Sequence, residues 1–378
     1  MDGFAFRGAE LRAGAPTELK VVGTALAGKA LVGTLGAGEC VKIMTGAIMP
    51  SGLDTVAPQE LVQVSGDAVT IPPGLLRTGD NQRFKGEDLM QGQPALQKGE
   101  LLTPASMGLV ASLGLESVQV FRNLTVAYFS TGDEILSLGD APREGAVFDS
   151  NRYTVFGLLT RLGCHVIDMG VVRDDPVLLE AAFNQAATQA DAVITSGGVS
   201  VGEADFTKAM MKKLGDVAFW KIAMRPGRPM AVGRIQAPEL QAKSASSRQD
   251  NCVSSYGNSS KSAVLFGLPG NPVAVMVTFL AFVRPALLRM MGARATAPVY
   301  LRAHSAEPLR KKPGRTEYQR GTVFTAADGT LQVKTTGNQG SGVLSSMVQA
   351  NGLIVLHHAQ GNVSVGDEVD VMMFEGFI

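Results

Sequence analysis

The hydrophobic pattern changes character twice along the chain. From Glu18 to about Arg77, short apolar alternations such as ELKVVG and DAVTIPPG are broken by frequent glycines, which predicts strands of a small β domain. TPASMGLVASLG, from Thr103 to Gly114, predicts a short helix capped by Thr103, with Pro104 in its first turn and Gly114 as its stop. From Leu124 onward, continuous apolar runs alternate with helical periodicity. LTVAYFS, CHVIDMG and DAVITS read as strands. NRYTVFGLLTRLG reads as a helix capped by Asn151, and DDPVLLEAAFNQAATQA as a helix with Pro176 in its first turn. A further helix, the strands VAFWKIAM, MAVGR and SAVLFG, and a long helix starting at Asn271-Pro272 complete the series. This alternation predicts an α/β domain with a mostly parallel sheet and helices on both faces, over 124–294. From Val299 the pattern is β again, with a hairpin signal at ADGTLQV, and 295–378 is expected to form a small β-barrel or sandwich.

One stretch interrupts the alternation. Gln236 to Ser262 is polar, rich in serine and aperiodic, so it is expected to be a surface insertion between two strands. The longest apolar run, Val273 to Val283, is too short to span a bilayer. With 34 basic and 34 acidic side chains in 378 residues, the net charge is zero, and no global field attracts nucleic acid or an anionic membrane. Cys40, Cys164 and Cys252 are far apart and odd in number, which suits a reducing compartment better than a disulfide framework. His357 and His358 are adjacent; on a strand they would face opposite sides rather than share a metal.

In a parallel sheet the strand C-termini share one edge, where ligands bind. The segments that follow the strands are STGDE (130–134), RDD (173–175), SGGVSVGEAD (196–205), RPGRP (225–229) and GLPGNP (267–272). Turn composition explains any one of them, but their coincidence on one edge indicates a site. The carboxylates of Glu134, Asp174 and Asp205 would repel one another without a cation, and Mg²⁺ suits such a set when phosphate supplies further oxygens. Lys221, Arg225 and Arg228 offer positive charge for an anion. The glycines of 196–202 allow backbone N–H groups to approach a phosphate closely, and the next helix adds its N-terminal end. Glu203 fits helix capping equally well.

MDGFAF (1–6), IMTGAIMP (43–50), KGED (85–88), STGDE, VRDDP, TSGGVSVGEADFTK, FWKIAMRPGRP and GLPGNPV run in the order seen in molybdopterin molybdenumtransferases. The chain therefore resembles, over essentially its whole length, the bacterial MoeA family, which includes the E domain of gephyrin. The resemblance implies an enzyme of molybdenum cofactor biosynthesis. Such an enzyme inserts molybdate into adenylylated molybdopterin, releases AMP and uses Mg²⁺. It also implies a cytoplasmic homodimer whose sites draw on both protomers, with molybdopterin adenylyltransferase as a transient partner and neither nucleic acid nor membrane.

Carried onto this chain, the resemblance makes Ser196, Gly197, Gly198, Ser200 and Gly202, with Pro269, Gly270, Asn271 and Pro272, the pterin-phosphate cradle. The acidic set is Glu134, Asp174 and Asp205, which would hold the metal, joined by Asp2 and Asp88. Molybdate would meet Lys221, Arg225, Pro226, Arg320 and Ser341, with Thr45 near the same cleft. Two departures stand out. Family members carry a segment before the MDG motif, so residues 1–17 and 81–123 are expected to be the remnant of an elongated linker and dimerisation domain, flanking a β domain over 18–80. RPGRP stands where the family often has lysines; arginine keeps the charge but presents a planar fork.

Two other readings compete. Gly198 to Gly202 fits the G-x-S-x-G elbow of a serine hydrolase, with Ser200 as nucleophile. The preceding strand ends four or five residues too early for that, and no HGGG-type oxyanion loop exists. A non-catalytic molybdopterin-binding scaffold is the other alternative, although a scaffold has no need of acids and cations on five loops of one edge.

Overall fold

The computed structural model describes residues 2–198, 206–238, 262–294 and 298–374. The chain divides into two compact units, Met1–Leu96 and Gln97–Ile378.

The first unit is built on a six-stranded sheet of β1 (Gly3–Phe6), β2 (Thr17–Ala25), β3 (Glu39–Ile43), β4 (Thr55–Pro58), β5 (Gln63–Ser65) and β6 (Ala68–Ile71), in the order β4-β1-β3-β2-β6-β5. The pleat sends alternate residues to opposite faces. Phe4 and Phe6 join Leu19, Val69 and Ile71 in one core, while Ala5 joins Val41, Ile43 and Val56 in the other. Here the structure differs from expectation. β1 pairs with both β3 and β4, so the first residues belong to this sheet and not to a linker shared with 81–123. Gly3 is required there, since a Cβ would lie 2.2 Å from the Ala57 carbonyl oxygen.

The second unit opens with α1 (Pro104–Ser112). Thr103 and Ser106 form a capping box at its start, as the pattern predicts. The α/β part follows: β7 (Thr125–Thr131), a small ribbon of β8 (Ile135–Leu136) and β9 (Val147–Phe148), α2 (Ser150–Arg161), β10 (His165–Val172), α3 (Pro176–Gln189), β11 (Ala192–Ser196), α4 (Phe206–Leu214), β12 (Gly215–Lys221), β13 (Met224–Arg225), β14 (Pro229–Gln236), β15 (Ser262–Leu268), α5 (Pro272–Thr278) and α6 (Arg284–Met290). The main sheet has the order β10-β7-β11-β15-β14-β12. β10, β7, β11 and β15 are parallel; β14 is antiparallel to both its neighbours, so β12 runs with the first four. α2 and α5 cover one face through Val155, Leu158, Val273 and Val277, and α3 and α4 cover the other through Leu179, Phe183 and Met211. The chain leaves β7 for β10 on one side and returns to β11 on the other. The switch point therefore lies between the C-termini of β7 and β11.

One helix end and one helix interior depart from expectation. α2 is capped by Asp149, whose carboxylate accepts from the Arg152 N–H, and not by Asn151, which sits inside the first turn. The long helix is continuous from Pro272 to Met290 but widens into a π turn at Phe279–Val283. That turn precedes Pro285, which has no N–H to donate and crowds the carbonyl one turn back. By length and composition this helix could cross a membrane, but 56% of its apolar window is buried within the core.

The remainder is β16 (Leu301–Ser305), β17 (Thr316–Thr325), β18 (Leu331–Thr335), α7 (Ser345–Gln349), β19 (Gly352–Leu356) and β20 (Glu368–Met373). The order β17-β18-β16-β20-β19 closes on itself through β17–β19 pairing, which makes a five-stranded barrel around Val323, Val333, Leu356 and Val371. His357 lies just beyond β19 and bonds Asp370 at 2.7 Å. Met347, Leu353, Met372 and Phe374 share a core with α2 and α5, so apolar burial joins the barrel to the α/β part.

Most of the expected insertion, 239–261, lies outside the described residues. Its flanks are described, and Gln236 and Ser262 are directly paired at the end of the β14–β15 hairpin. That end is the N-terminal pole of β15, opposite the edge where Leu268 and Ser196 finish. Replacing 239–261 with a short Gly-Ser turn is therefore expected to shift the melting temperature by less than about 2 °C. A larger fall in a thermal scan would show that the segment packs on the fold.

Candidate active site

The switch point is floored by hydroxyls. The Tyr128 phenol lies 2.8 Å from Ser130 Oγ and 2.7 Å from Ser196 Oγ, and the two serines are 3.2 Å apart. Burial pushes the phenol well above its usual pKa, so it stays neutral as a hydrogen-bonding post. Asn151 extends this floor by donating from Nδ2 to the Gly270 carbonyl at 2.7 Å, which ties the start of α2 to the 269–272 loop. Asp149 Oδ2, Asn151 Oδ1 and Thr131 Oγ1 are buried with no hydrogen-bond partner.

Above this floor opens a cavity of about 1040 Å³. It is bordered by Ser196, Gly197 and Gly198 from β11, Glu134 after β7, Pro269 to Pro272 after β15, Arg225 to Pro229, and Ser341 from the barrel. Four of the five predicted loops meet here. Gly197 and Gly198 both have positive φ, and a Cβ on Gly197 would lie 2.4 Å from the Thr131 carbonyl oxygen. Only glycine lets that loop lie against β7. Glu134 folds its carboxylate back over Gly132, whose added Cβ would lie 2.6 Å from Oε2.

A second cavity, of about 400 Å³, lies between the 225–226 segment and the barrel. Arg225, Pro226 and Gln339 border both cavities. Arg320 of β17 lines the smaller one although its residue is only 1% exposed. Its guanidinium donates to Ser346 Oγ at 2.9 Å and to the carbonyls of Asn338 and Gly340 at 3.3 and 2.9 Å. All of these acceptors are neutral. Burial, and then the nearby charge of Arg225, push its pKa down to about 10. The two acids bordering this cavity are already engaged, Glu307 by Thr335 and Glu317 by Arg315. The result is a buried guanidinium that bonds only neutral acceptors, an arrangement that an anion stabilises.

Backbone pairing brings the two cavities together. β13 runs parallel to β17, with Arg225 beside Glu317, and the Thr316 N–H donates to the Ala223 carbonyl at 2.9 Å. Asn271 stands at the cap position of α5 but donates its amide to Ser341 Oγ at 3.0 Å, and Val273 N–H donates to the Ser341 carbonyl at 3.1 Å.

The other predicted residues fall elsewhere. Lys221 ends β12, exposed, and borders neither cavity. Asp174 is half-buried after β10; its N–H donates to the Asp133 carboxylate at 3.4 Å, and it too borders neither cavity. Ser200, Gly202 and Asp205, with Glu203, lie outside the described residues. β11 ends at Ser196, four residues ahead of Ser200, whereas an elbow nucleophile sits on the turn itself. Among the described residues no three metal-ligating side chains form a cluster. Asp2, Thr45 and Asp88 belong to the first unit. Asp2 accepts from the Thr45 N–H and hydroxyl, both at 2.8 Å, and these bonds hold its carboxyl below the usual range. Asp88 is exposed. Sequence reasoning missed Tyr128, Asp149 and Gln339, and singled out Ser130 only as part of the 130–134 segment. Only Asp149 had a usable signal, as an acid immediately before a helix.

Comparison with known proteins shows the family. Residues 1–114 match the MoeA N-terminal region (domains I and II), 127–289 match the "Probable molybdopterin binding domain", and 302–374 match the MoeA C-terminal region (domain IV). The chain is 39% identical over 375 residues to the molybdopterin molybdenumtransferase of Haemophilus influenzae, covering 99% of this chain and 86% of that protein. It is 33% identical over 381 residues to that of Nostoc, covering 98% and 81%. The structure of the molybdopterin biosynthesis moeA protein of Pyrococcus horikoshii OT3 superposes with a TM-score of 0.73 at 25% identity, covering 99% of this chain and 86% of that one. The fold and the relatives' names define a transferase of molybdenum cofactor biosynthesis. The chain belongs to the MoeA family of molybdopterin molybdenumtransferases.

One glycine offers a test of how the 225–229 segment is seated. Gly227 has φ +96°, and an added Cβ would lie 2.4 Å from Thr278 Oγ1 of α5. Gly227→Ala is expected to cost about 2–3 kcal/mol in denaturant unfolding, from overpacking and a left-handed backbone. Gly270→Ala, where the added Cβ meets nothing within 4 Å, serves as the neutral control. Equal behaviour of the two variants would contradict the described seating.

Proposed function

We propose that the larger cavity receives adenylylated molybdopterin, the product of an adenylyltransferase, and that the smaller one receives molybdate. The metal is inserted into the dithiolene and AMP is released. The observation that carries this reading is the buried guanidinium of Arg320, which has only neutral acceptors and stands beside Arg225. A small tetrahedral dianion would supply the missing charge. Arg225 borders both cavities, so an oxyanion in the smaller one would sit next to the ligand in the larger one. Release of AMP from a phosphoanhydride calls for charge neutralisation and positioning more than for a protein nucleophile.

Mg²⁺ fits the donor chemistry in part. Glu134 borders the larger cavity, and the Asp174 loop touches the adjoining turn through the Asp133 carboxylate. One or two carboxylates plus substrate phosphates is the set Mg²⁺ takes. Glu134 and Asp174, with Asp205, would hold it, and bound there it would neutralise phosphate charge. Widely spaced cysteines support a cytoplasmic setting.

We propose a homodimer as well. α1 is predominantly apolar yet contains no buried residue, and Leu101, Met107, Leu113 and Leu115 are exposed around it. A second copy of the chain is the occupant proposed for this face. Met107→Glu combined with Leu113→Glu is expected to turn a dimer into a monomer in light scattering. A dimer that persists would put the interface elsewhere.

Arg320→Ala is expected to weaken molybdate binding by about 1.5–3 kcal/mol, roughly 10- to 150-fold, with little change for the adenylylated pterin. In the native enzyme the guanidinium is charged below its pKa, so molybdate affinity should hold through neutral pH and fall as pH rises through about 10. Titrations of each substrate across pH would check both. Equal losses for the two substrates in Arg320→Ala would refute the division of cavities.

A further inference from the structure

Gln339 lies in the loop between β18 and α7 and borders both cavities. Its side chain forms a closed pair with the main chain of Arg320. The Arg320 N–H donates to Oε1 at 2.8 Å, and Nε2 donates back to the Arg320 carbonyl at 3.1 Å. The second Nε2 hydrogen goes to the Gly337 carbonyl at 3.3 Å. A primary amide has two N–H donors, and here both are directed into the protein. The same loop receives the Arg320 guanidinium on the carbonyls of Asn338 and Gly340, and the Asn338 carboxamide oxygen accepts from the Gly340 N–H at 2.9 Å. Backbone and side chain of one arginine are thus both gripped by a single short loop.

A glutamine with no free donor is a poor ligand for an oxyanion, and its remaining Oε1 lone pair would repel one. Its placement at the shared border therefore needs another explanation than contact. We infer that Gln339 is a positioning residue for the oxyanion site. It locks the β17 backbone at Arg320, which fixes where the guanidinium points, and it presents a wall without donors that keeps a tetrahedral dianion in the smaller cavity, beside Arg225. This rests on the reading of that cavity as the molybdate site.

The test is a double-mutant cycle on the full chain, with the KM for molybdate and for adenylylated molybdopterin measured separately. Gln339→Met keeps the approximate shape and removes the three bonds. It should raise the molybdate KM about 5- to 10-fold, the range for loss of a neutral hydrogen bond, and leave the pterin KM within about 2-fold. Gln339→Glu retains the acceptor for the Arg320 N–H but sets an oxygen against the Arg320 carbonyl. It should raise the molybdate KM further, and it serves if the methionine variant folds poorly. In an Arg320→Ala background, Gln339→Met should add nothing, because its effect passes through that side chain. A Gln339→Met effect of the same size in both backgrounds would overturn the inference, as would a fall confined to kcat or an unchanged molybdate KM. If Arg320→Ala itself leaves the molybdate KM unchanged, the cavity assignment fails and the inference falls with it. If Arg320→Ala raises it and Gln339→Met does not, only the inference fails.

Discussion

The site depends on a two-residue strand. Met224 and Arg225 leave the α/β sheet after β12 and pair with β17 of the barrel before the chain returns as β14. A few backbone hydrogen bonds contribute only about 0.5–1.5 kcal/mol each. Their importance is geometric. They set Arg225 near Arg320 although two guanidinium groups repel, and the shared apolar core of Met347, Leu353 and Phe374 with α2 and α5 supplies the free energy that holds them there. A site assembled this way has its charge in place before any anion arrives, and so needs little reorganisation to receive one.

The larger cavity is differentiated along its length. At the β7–β11 end it meets hydroxyls and buried acceptors without donors, at Ser130, Ser196, Asp149 and Asn151. At the β14 end it meets Arg225 and Arg228. The phenol of Tyr128 beneath the β7–β11 end stays neutral, so the charged groups at that end are the carboxylates of Asp149 and Glu134.

How much of this was legible in the sequence follows from which signals are local. The parallel sheet was legible because buried strands and amphipathic helices have distinct periods, and a parallel sheet must gather its strand C-termini on one edge. Four of the five predicted loops accordingly meet at the larger cavity, while Asp174 and Lys221 lie outside its border. The cap of α2 was misassigned because Asp149 and Asn151 are both good capping residues, and only the geometry shows that Asn151 reaches Gly270 instead. β1 was missed because four residues carry too little pattern to be recognised as a strand. Arg320 could not be placed by periodicity at all. Its position depends on a barrel closing and docking, which are non-local events, and resemblance to a family supplied what pattern could not. Gln339 left no trace, since a glutamine in a polar Gly-rich turn is unremarkable until its partners are known.

The β14–β15 hairpin separates two kinds of freedom. Its closed end, at Gln236 and Ser262, is where the chain carries its additional length, and its open end feeds the 225–229 and 269–272 segments. Seven residues of β15 at the usual strand rise hold these ends about 20 Å apart. The added length is thereby kept at one pole of the sheet and the cavity-lining loops at the other. The former pole is a natural port for splicing in a reporter or an affinity handle, with the sheet standing between the graft and the loops that border the larger cavity.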